Sequence, residues 1–250
     1  MGTKKRKERL DKVLMEKGLA GSRQAAKGLI MAGSVEVDGR KIIKAGAEIP
    51  IDAEVEIKES SFGKYVSRGG LKLESAIKEF GLNVRSKVCL DVGASRGGFT
   101  DCLLQNGAEK VYALDVGYGQ LDWKLRNDPR VVNIEKTNIR YFEGEGIKSS
   151  IDLATIDVSF ISLEKVLPRV KELVRKKGEI VSLIKPQFEA GREKVQRGGV
   201  VKDAKIHREV INKIKLLARS LGLEVKGLIP SPIKGPAGNI EYFIYLKKRG

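Results

Sequence analysis

The sequence predicts an α/β protein with a seven-stranded, mostly parallel sheet, preceded by a small α+β unit. After about residue 60, short apolar runs alternate with helical stretches, which is typical of a parallel sheet crossed by helices. Before residue 60, two short helical patterns lead into a hairpin signal. With 250 residues and 41% hydrophobic content, the chain is long enough for one medium domain and one small domain.

The N-terminal unit begins with an apolar helical pattern that ends at Gly18, and Ser22 is placed to cap a second helix. Asp38-Gly39 then predicts a type I′ hairpin, and a further strand is expected at 55–57. Residues 1–60 are therefore predicted to form one small α+β domain.

The charge of the chain points to a polyanionic partner. Lys and Arg outnumber Asp and Glu by 48 to 32, a formal net charge of +16, and residues 1–45 hold 12 basic against 5 acidic side chains. Nucleic acid and an anionic membrane surface both fit this charge. No apolar run approaches the roughly 18 residues of a spanning helix, and the basic start leads into no signal-peptide core. We therefore expect a cytoplasmic protein that binds nucleic acid and no membrane.

The larger unit begins where Ser67 is placed to cap a helix. Seven strands are predicted after it, at 88–92, 111–116, 131–134, 153–158, 180–184, 223–229 and 241–246. The last two are separated by a loop too short for a crossover helix, so they are expected to pair antiparallel. The two cysteines, Cys89 and Cys102, are expected to be buried thiols, and with one histidine they offer little material for a metal site.

A glycine-rich turn, DVGASRGGFT from Asp91 to Thr100, follows the first of these strands and leads into a helix. Such a turn lets a cofactor approach the backbone closely, and Asp115 at the end of the next strand is placed to bind ribose hydroxyls. The spacing of Gly93 and Gly97 is not that of the dinucleotide motif. Asp91 adds a negative charge that suits a cationic sulfonium better than a pyrophosphate. A turn without any ligand is the structural alternative.

Gly93 to Gly97 also fits the G-x-S-x-G nucleophile elbow of hydrolases. That interpretation needs a catalytic histidine, and His207 is the one histidine in the chain. It lies in the first turns of a predicted helix and not in a late loop, so we expect it to pack or to be exposed.

The N-terminal unit and the glycine-rich unit both resemble known protein families. RLDKVLMEKGLAGSRQAAKGLIMAGSVEVDGRKI resembles the S4 RNA-binding domain, and the downstream part resembles the FtsJ-like ribose methyltransferases. KYVSRGGLKLESA, DVGASRGGFTD, ALDVGYGQLDWKLRNDPRV, TIDVSFISL, IKPQFEAG and GGVVKD, in this order, make the whole chain similar to the TlyA, or hemolysin A-like, family. The resemblance implies a Rossmann-like methyltransferase domain at 67–250, a linker at 61–66 and S-adenosylmethionine as cofactor.

The resemblance also assigns roles to residues. The Lys-Asp-Lys-Glu catalytic tetrad of FtsJ-like enzymes falls on Lys72, Asp157, Lys185 and Glu241, with Lys185 as the base. Independently of the resemblance, Asp157 and Lys185 end two predicted strands, at the edge where open α/β sheets bind ligands. Burial and Lys72 would favour a neutral Lys185, whereas the two carboxylates would oppose it, and the sequence leaves both outcomes open. The expected cofactor residues are Asp91, Gly93, Ser95, Gly97, Phe99, Asp115 and Asn138.

The S4 resemblance implies an RNA-facing surface, although a solvated charged face is the simpler interpretation of any single lysine. The expected RNA-binding residues are Arg9, Lys12, Arg23, Lys27, Arg40, Lys41 and Lys44. The leading hypothesis is a ribosomal RNA (cytidine-2′-O)-methyltransferase that acts on ribosomal RNA or ribosomal subunits, without an obligate protein partner. The alternatives are a non-catalytic RNA-binding protein on a Rossmann scaffold and a membrane-active hemolysin.

Overall fold

The computed structural model describes residues 7–31, 34–44, 46–57, 64–235 and 237–250. Within these ranges the chain forms a small N-terminal α+β unit and a larger α/β unit with separate hydrophobic cores. Residues 1–6 of the predicted first domain and residues 61–63 of the predicted linker lie outside the described residues, so the boundary near residue 60 stays a prediction. No helix in the described part is long and apolar enough to cross a membrane.

The N-terminal unit holds two helices and two small antiparallel sheets. Its elements are β1 Lys7–Arg9, α1 Leu10–Glu16, α2 Arg23–Met31, β2 Val35–Val37, β3 Arg40–Lys41, β4 Glu48–Pro50 and β5 Val55–Ile57. Asp38 and Gly39 both have positive φ between β2 and β3, as a type I′ turn requires. The predicted hairpin and the strand at 55–57 are confirmed, whereas β1 and β4 were not predicted.

The larger unit is built on one seven-stranded sheet. Its strands are β6 Val88–Val92, β7 Lys110–Leu114, β8 Val131–Ile134, β9 Ile151–Ile156, β10 Val174–Ile184, β11 Leu223–Pro230 and β12 Tyr242–Lys248. The strand order is β11-β12-β10-β9-β6-β7-β8, and β12 alone runs against the others. The predicted seven strands and the antiparallel last pair are confirmed.

Helices cover both faces of this sheet. They are α3 Arg68–Phe80, α4 Gly98–Gln105, α5 Trp123–Arg126, α6 Leu167–Leu173, α7 Pro186–Glu189 and α8 Ala204–Ser220. Successive strand residues point to opposite faces, so Leu90 and Val92 join the core under α6 and α8, while Cys89 joins the core under α3 and α4. Ser67 caps α3, as predicted, by accepting a hydrogen bond from the backbone N–H of Gly69.

Candidate active site

The candidate site lies at the edge where the parallel strands end. β6, β7, β9 and β10 all end at this edge, and β12 begins there because Ile184 pairs with Tyr242. Lys185 and Glu241 therefore lie beside each other, and Asp157 follows the neighbouring β9. This is the edge at which ligands bind in open α/β sheets.

The glycine-rich turn connects β6 to α4 through three residues with positive φ, Gly93, Ser95 and Gly97. A side chain at Gly93 would place its Cβ 2.6 Å from the carbonyl oxygen of Asp157, so only glycine lets β6 and β9 approach here. A side chain at Gly97 would collide with Leu125 and Leu121. Packing alone thus explains both glycines, and a cofactor is not needed to account for them.

Asp115 fastens this turn to the end of β7. Its carboxylate accepts hydrogen bonds from the backbone N–H of Ser95 at 2.8 Å and of Gly117 at 2.7 Å. The Ser95 hydroxyl donates to Gln120 Oε1 at 3.3 Å. Each carboxylate oxygen keeps a second lone pair. Asp115 can therefore accept further hydrogen bonds from a ligand's hydroxyl groups.

The side chains of two predicted cofactor residues, Asp91 and Phe99, are buried. Asp91 shares the β6 face of Cys89, so its carboxylate points toward α4 and accepts from the hydroxyls of Thr100 at 2.7 Å and Thr155 at 3.2 Å. Phe99 packs in the core with its ring centroid 6.1 Å from that of Phe243. These two side chains stabilise the turn from the hydrophobic core and do not line the open edge of the sheet.

Burial raises the pKa of Asp91 to about 7, with a smaller contribution from Asp157 and an opposing one from the two threonine bonds. Because the pKa of this carboxyl is raised on folding, its contribution to stability is complete below pH ~4 and is lost as the pH rises to about 7. We therefore expect Asp91→Asn to gain roughly 2 kcal/mol of unfolding free energy relative to wild type between pH 5 and pH 8.

Urea unfolding of both proteins without ligand measures this difference. Asp128→Asn is the matched control: Arg130 lowers the pKa of Asp128, so the stability of this variant relative to wild type should stay constant over the same range. A constant difference for Asp91→Asn as well would contradict the raised pKa.

The four predicted catalytic residues form two ion pairs. Lys72 Nζ lies 2.6 Å from Glu241 Oε2, and Lys185 Nζ lies 2.6 Å from Asp157 Oδ1. Lys72, Lys185 and Glu241 are only 8%, 9% and 1% exposed. Lys72 could have been a solvent-exposed helix residue, but α3 buries it and directs it at the start of β12. Glu241 Oε1 is buried and has no hydrogen-bond partner among the described residues.

Two further residues of this edge were not predicted. Ser159 Oγ accepts a hydrogen bond from Lys185 Nζ at 3.0 Å. Phe160 is 91% exposed and has a φ of 62°, which is unusual for a bulky side chain. Its ring centroid lies 5.0 Å from that of Phe188. An aromatic residue between the polar Ser159 and the apolar Ile161 resembles core sequence, so only the conformation of the folded loop reveals its exposure.

The remaining candidates take structural positions. Asn138 Oδ1 caps the short 3₁₀ helix Ile139–Tyr141 by accepting from the N–H of Arg140. His207 is buried and lies within hydrogen-bond distance of the Val201 carbonyl and of the Tyr242 hydroxyl, at 2.8 Å and 2.9 Å. Its hydrogen-bond partners assign this histidine to the packing of α8, and the Ser95 hydroxyl donates to Gln120, so the two residues do not form a nucleophile–base pair. Both cysteines are buried and free, as predicted.

The basic side chains of the N-terminal unit fall into two groups. Arg9 and Arg23 both contact the buried carboxylate of Asp11, and Lys12 pairs with Glu8 and Glu16. The guanidinium of Arg9 is the main reason that the pKa of Asp11 falls to about 2. Among the described residues, the other predicted RNA-binding side chains form no ion pair and are exposed: Lys27, Arg40, Lys41 and Lys44.

Comparison with known proteins matches the same two units. Residues 65–248 match the FtsJ-like methyltransferase family and residues 8–55 match the S4 domain. The chain is 44% identical over 242 residues to the 16S/23S rRNA (cytidine-2′-O)-methyltransferase TlyA of Mycobacterium tuberculosis, covering 97% of this chain and 90% of TlyA. It is 44% identical over 238 residues to Hemolysin A of Brachyspira hyodysenteriae, covering 95% and 98%.

The solved structures give the same result. The structure named "Putative hemolysin from Streptococcus thermophilus" superimposes with a TM-score of 0.74 at 44% identity, covering 98% of this chain and 90% of that one. A methyltransferase of Burkholderia thailandensis that binds S-adenosylhomocysteine shares the fold at 18% identity, with a TM-score of 0.51 over 72% and 79% of the two chains. The chain therefore belongs to the FtsJ-like methyltransferases, as a TlyA-type member with an S4 domain before its catalytic domain.

Proposed function

We propose that this protein transfers a methyl group from S-adenosylmethionine to the 2′-hydroxyl of a cytidine in ribosomal RNA. The observation that carries this proposal is the presence of two ion pairs, the buried Lys72–Glu241 pair and the partly buried Lys185–Asp157 pair, at the ligand-binding edge of a methyltransferase fold. The TlyA relatives named for this activity share 44% of the sequence over nearly the whole chain.

S-adenosylmethionine, when bound, supplies an electrophilic methyl group on a sulfonium centre. The residues present fit such a group, because Asp115 retains acceptor capacity for ribose hydroxyls and Val116 beside it exposes an apolar side chain. Gly93 and Ser95 are the expected first-turn contacts, with Gly97 at the start of α4. Asp91 and Phe99 would support the turn from the core, and Asn138 would contribute at the adenine end.

The substrate hydroxyl is a poor nucleophile while it is protonated, so its position and the removal of its proton control the rate. Lys185 can accept this proton only as the neutral amine. Asp157 and Ser159 fix the direction of the Lys185 side chain. Glu241 Oε1, which is buried and has no hydrogen-bond partner among the described residues, would accept a hydrogen bond from a substrate that enters the site. Lys72 holds Glu241 in place.

A nucleotide displaced from its stack can bring its ribose to the buried Lys185, as enzymes that act on a base do when they extrude the target nucleotide. Phe160, exposed beside the Lys185 pair, offers an aromatic surface for a displaced base. The S4 domain supplies the electrostatic attraction to the RNA backbone. Ribosomal RNA, free or within a subunit, is thus the proposed partner, and the cytoplasm is the proposed location.

Asp115 tests the cofactor proposal. We expect Asp115→Ala to weaken S-adenosylmethionine binding by about 10- to 100-fold, because charged hydrogen bonds to the ribose, roughly 1.5–3 kcal/mol, are lost. Isothermal calorimetry measures it, with Asp128→Asn, at the opposite edge of the sheet, as a control of unchanged affinity. An unchanged S-adenosylmethionine affinity in Asp115→Ala would show that Asp115 does not bind the cofactor. Tight binding of NAD by wild type would contradict the assignment of S-adenosylmethionine as the cofactor.

The alternative of a non-catalytic RNA-binding protein does not account for two ion pairs, with three of their four charged residues buried, collected at one edge. A scaffold gains little from them, since replacing a buried ion pair by apolar residues is often neutral or stabilising. Catalysis does account for them.

A further inference from the structure

Glu189 is a buried acid that the proposed tetrad does not use. It ends α7, the single helical turn that follows Lys185, and it is 7% exposed. Burial raises the pKa of its carboxyl, while hydrogen bonds from Ser162 and Leu163 act in the opposite direction. A buried carboxylate is costly unless it is well bonded, so its partners indicate its role.

Both oxygens of Glu189 bind the segment that follows β9. Oε2 accepts from the Ser162 hydroxyl at 2.6 Å, and Oε1 accepts from the backbone N–H of Leu163 at 2.7 Å. Ser162 and Leu163 begin a 3₁₀ helix whose N-terminal N–H groups need acceptors. The Glu189 carboxylate therefore joins the start of this 3₁₀ helix to α7, the helix that directly follows Lys185.

Between these anchors the loop is held by side chains: Asp157 and Ser159 bind Lys185 Nζ, and Val158 and Ile161 pack against the core. At its first end the N–H of Asp157 donates to the Val92 carbonyl at 2.9 Å. Among the described residues, the N–H groups of residues 158–162 donate to no backbone carbonyl. Phe160 contacts Phe188, but its high exposure means that this contact buries little surface. At the second end, Leu163 is buried in the core with Ile161 packed against it, and the two hydrogen bonds of Glu189 add the polar link that sets the direction of the backbone.

The loop also holds Phe160 in a left-handed conformation. Such a conformation is unfavourable in a non-glycine residue and persists only where the surroundings impose it. Hydrogen bonds to a charged group are stronger than those between neutral groups, so the bonds of Glu189 to Ser162 and Leu163 help to impose it.

We propose that Glu189 is a positioning residue that fastens the Asp157–Leu163 loop to the helix after Lys185, and thereby holds Asp157, Ser159 and Phe160 in register with the Lys185 amine. This inference rests on the proposed function, in which these residues act on the substrate. A displacement of about 1 Å at a reacting group can reduce a rate by about 100-fold, so a fastening outside the site affects the rate strongly.

The test compares Glu189→Leu with Glu189→Gln. Leucine fills a similar volume without hydrogen bonds, whereas glutamine can accept from the Leu163 N–H and donate to Ser162 Oγ. We expect Glu189→Leu to slow single-turnover methyl transfer to ribosomal RNA by about 10-fold or more, with S-adenosylmethionine and RNA affinities within about threefold of wild type. Glu189→Gln should stay within about threefold in rate as well, and Glu209→Gln, a change at an exposed acid, is the surface control.

A second measurement is independent of activity. In hydrogen exchange on the protein without substrate, Glu189→Leu should speed exchange at the Leu163 amide, while Glu189→Gln should preserve its protection. If wild type transfers no methyl group, the proposed function fails while this measurement still tests the fastening.

Three results would overturn the proposal. The first is a wild-type rate of methyl transfer in Glu189→Leu. The second is an equal loss of rate in Glu189→Gln, which would assign the effect to the charge of the carboxylate. The third is a loss of S-adenosylmethionine affinity in Glu189→Leu as large as the loss of rate, which would indicate a general structural role. Should Glu189→Leu fail to fold, Ser162→Ala removes one of the two bonds. A threefold or greater loss of rate at unchanged affinity would then support the proposal, and a wild-type rate would contradict it.

Discussion

Lys185→Arg is expected to bind S-adenosylmethionine and RNA about as wild type does, yet to transfer the methyl group at least about 100-fold more slowly. Arginine keeps the positive charge beside Asp157, but it does not deprotonate usefully in a protein. The variant therefore separates charge from basicity. Lys185→Ala should be inactive to a similar degree.

Single-turnover methylation of ribosomal RNA, with binding measured separately, reports these rates. Lys72→Arg is the matched control, because Lys72 lies in the second ion pair and is expected to hold Glu241 and not to accept a proton. It should retain more activity than Lys185→Arg. An arginine variant at position 185 within a few-fold of the wild-type rate would show that Lys185 orients the substrate or neutralises carboxylates and is not the base.

Neutralising the exposed basic side chains of the S4 domain is expected to produce the largest change in RNA affinity. Each phosphate contact contributes roughly 0.7–0.9 to the slope of log affinity against log salt concentration. Four exposed cations form no ion pair with any described residue, and replacing them by glutamine should therefore lower that slope by about 3, with cofactor binding unchanged. The four are Lys27, Arg40, Lys41 and Lys44.

The paired cations provide the comparison. Arg9 and Arg23 contact the buried Asp11, so replacing them by glutamine should destabilise the S4 domain, while changing the salt slope less than the unpaired set does. Filter binding at several salt concentrations and thermal unfolding measure the two effects. An unaltered slope in the fourfold variant would show that this surface does not anchor the RNA.

The fold was predictable from the sequence because local signals and strand order agree. Seven apolar runs, the Ser67 cap and the Asp38-Gly39 turn each encode their structure within a few neighbouring residues. The strands β1 and β4 were not predictable in this way. Each has three residues, and each depends on the other, since Lys7 pairs with Pro50 across more than forty positions.

The candidate site was predictable in its residues but not in its geometry. The resemblance supplied Lys72 and Glu241, yet only folding shows that they form an ion pair across 169 positions. Asp91 illustrates the opposite case. Its position after an apolar run indicated a charge beside the cofactor, whereas the alternation of β6 directs it to Thr100 and the core. Glu189 and Phe160 gave no local signal, because their roles depend on how two distant loops meet.

The activity proposed for this chain is methylation of the 2′-hydroxyl of cytidine in ribosomal RNA. Its most direct test incubates the purified protein with S-adenosylmethionine and ribosomal RNA or subunits from cells that lack it, and then digests the RNA to nucleosides for mass spectrometry. The proposed function predicts new 2′-O-methylcytidine with wild type and none with Lys185→Ala. Methylation of a base, of another nucleoside's ribose, or of no RNA at all would contradict it.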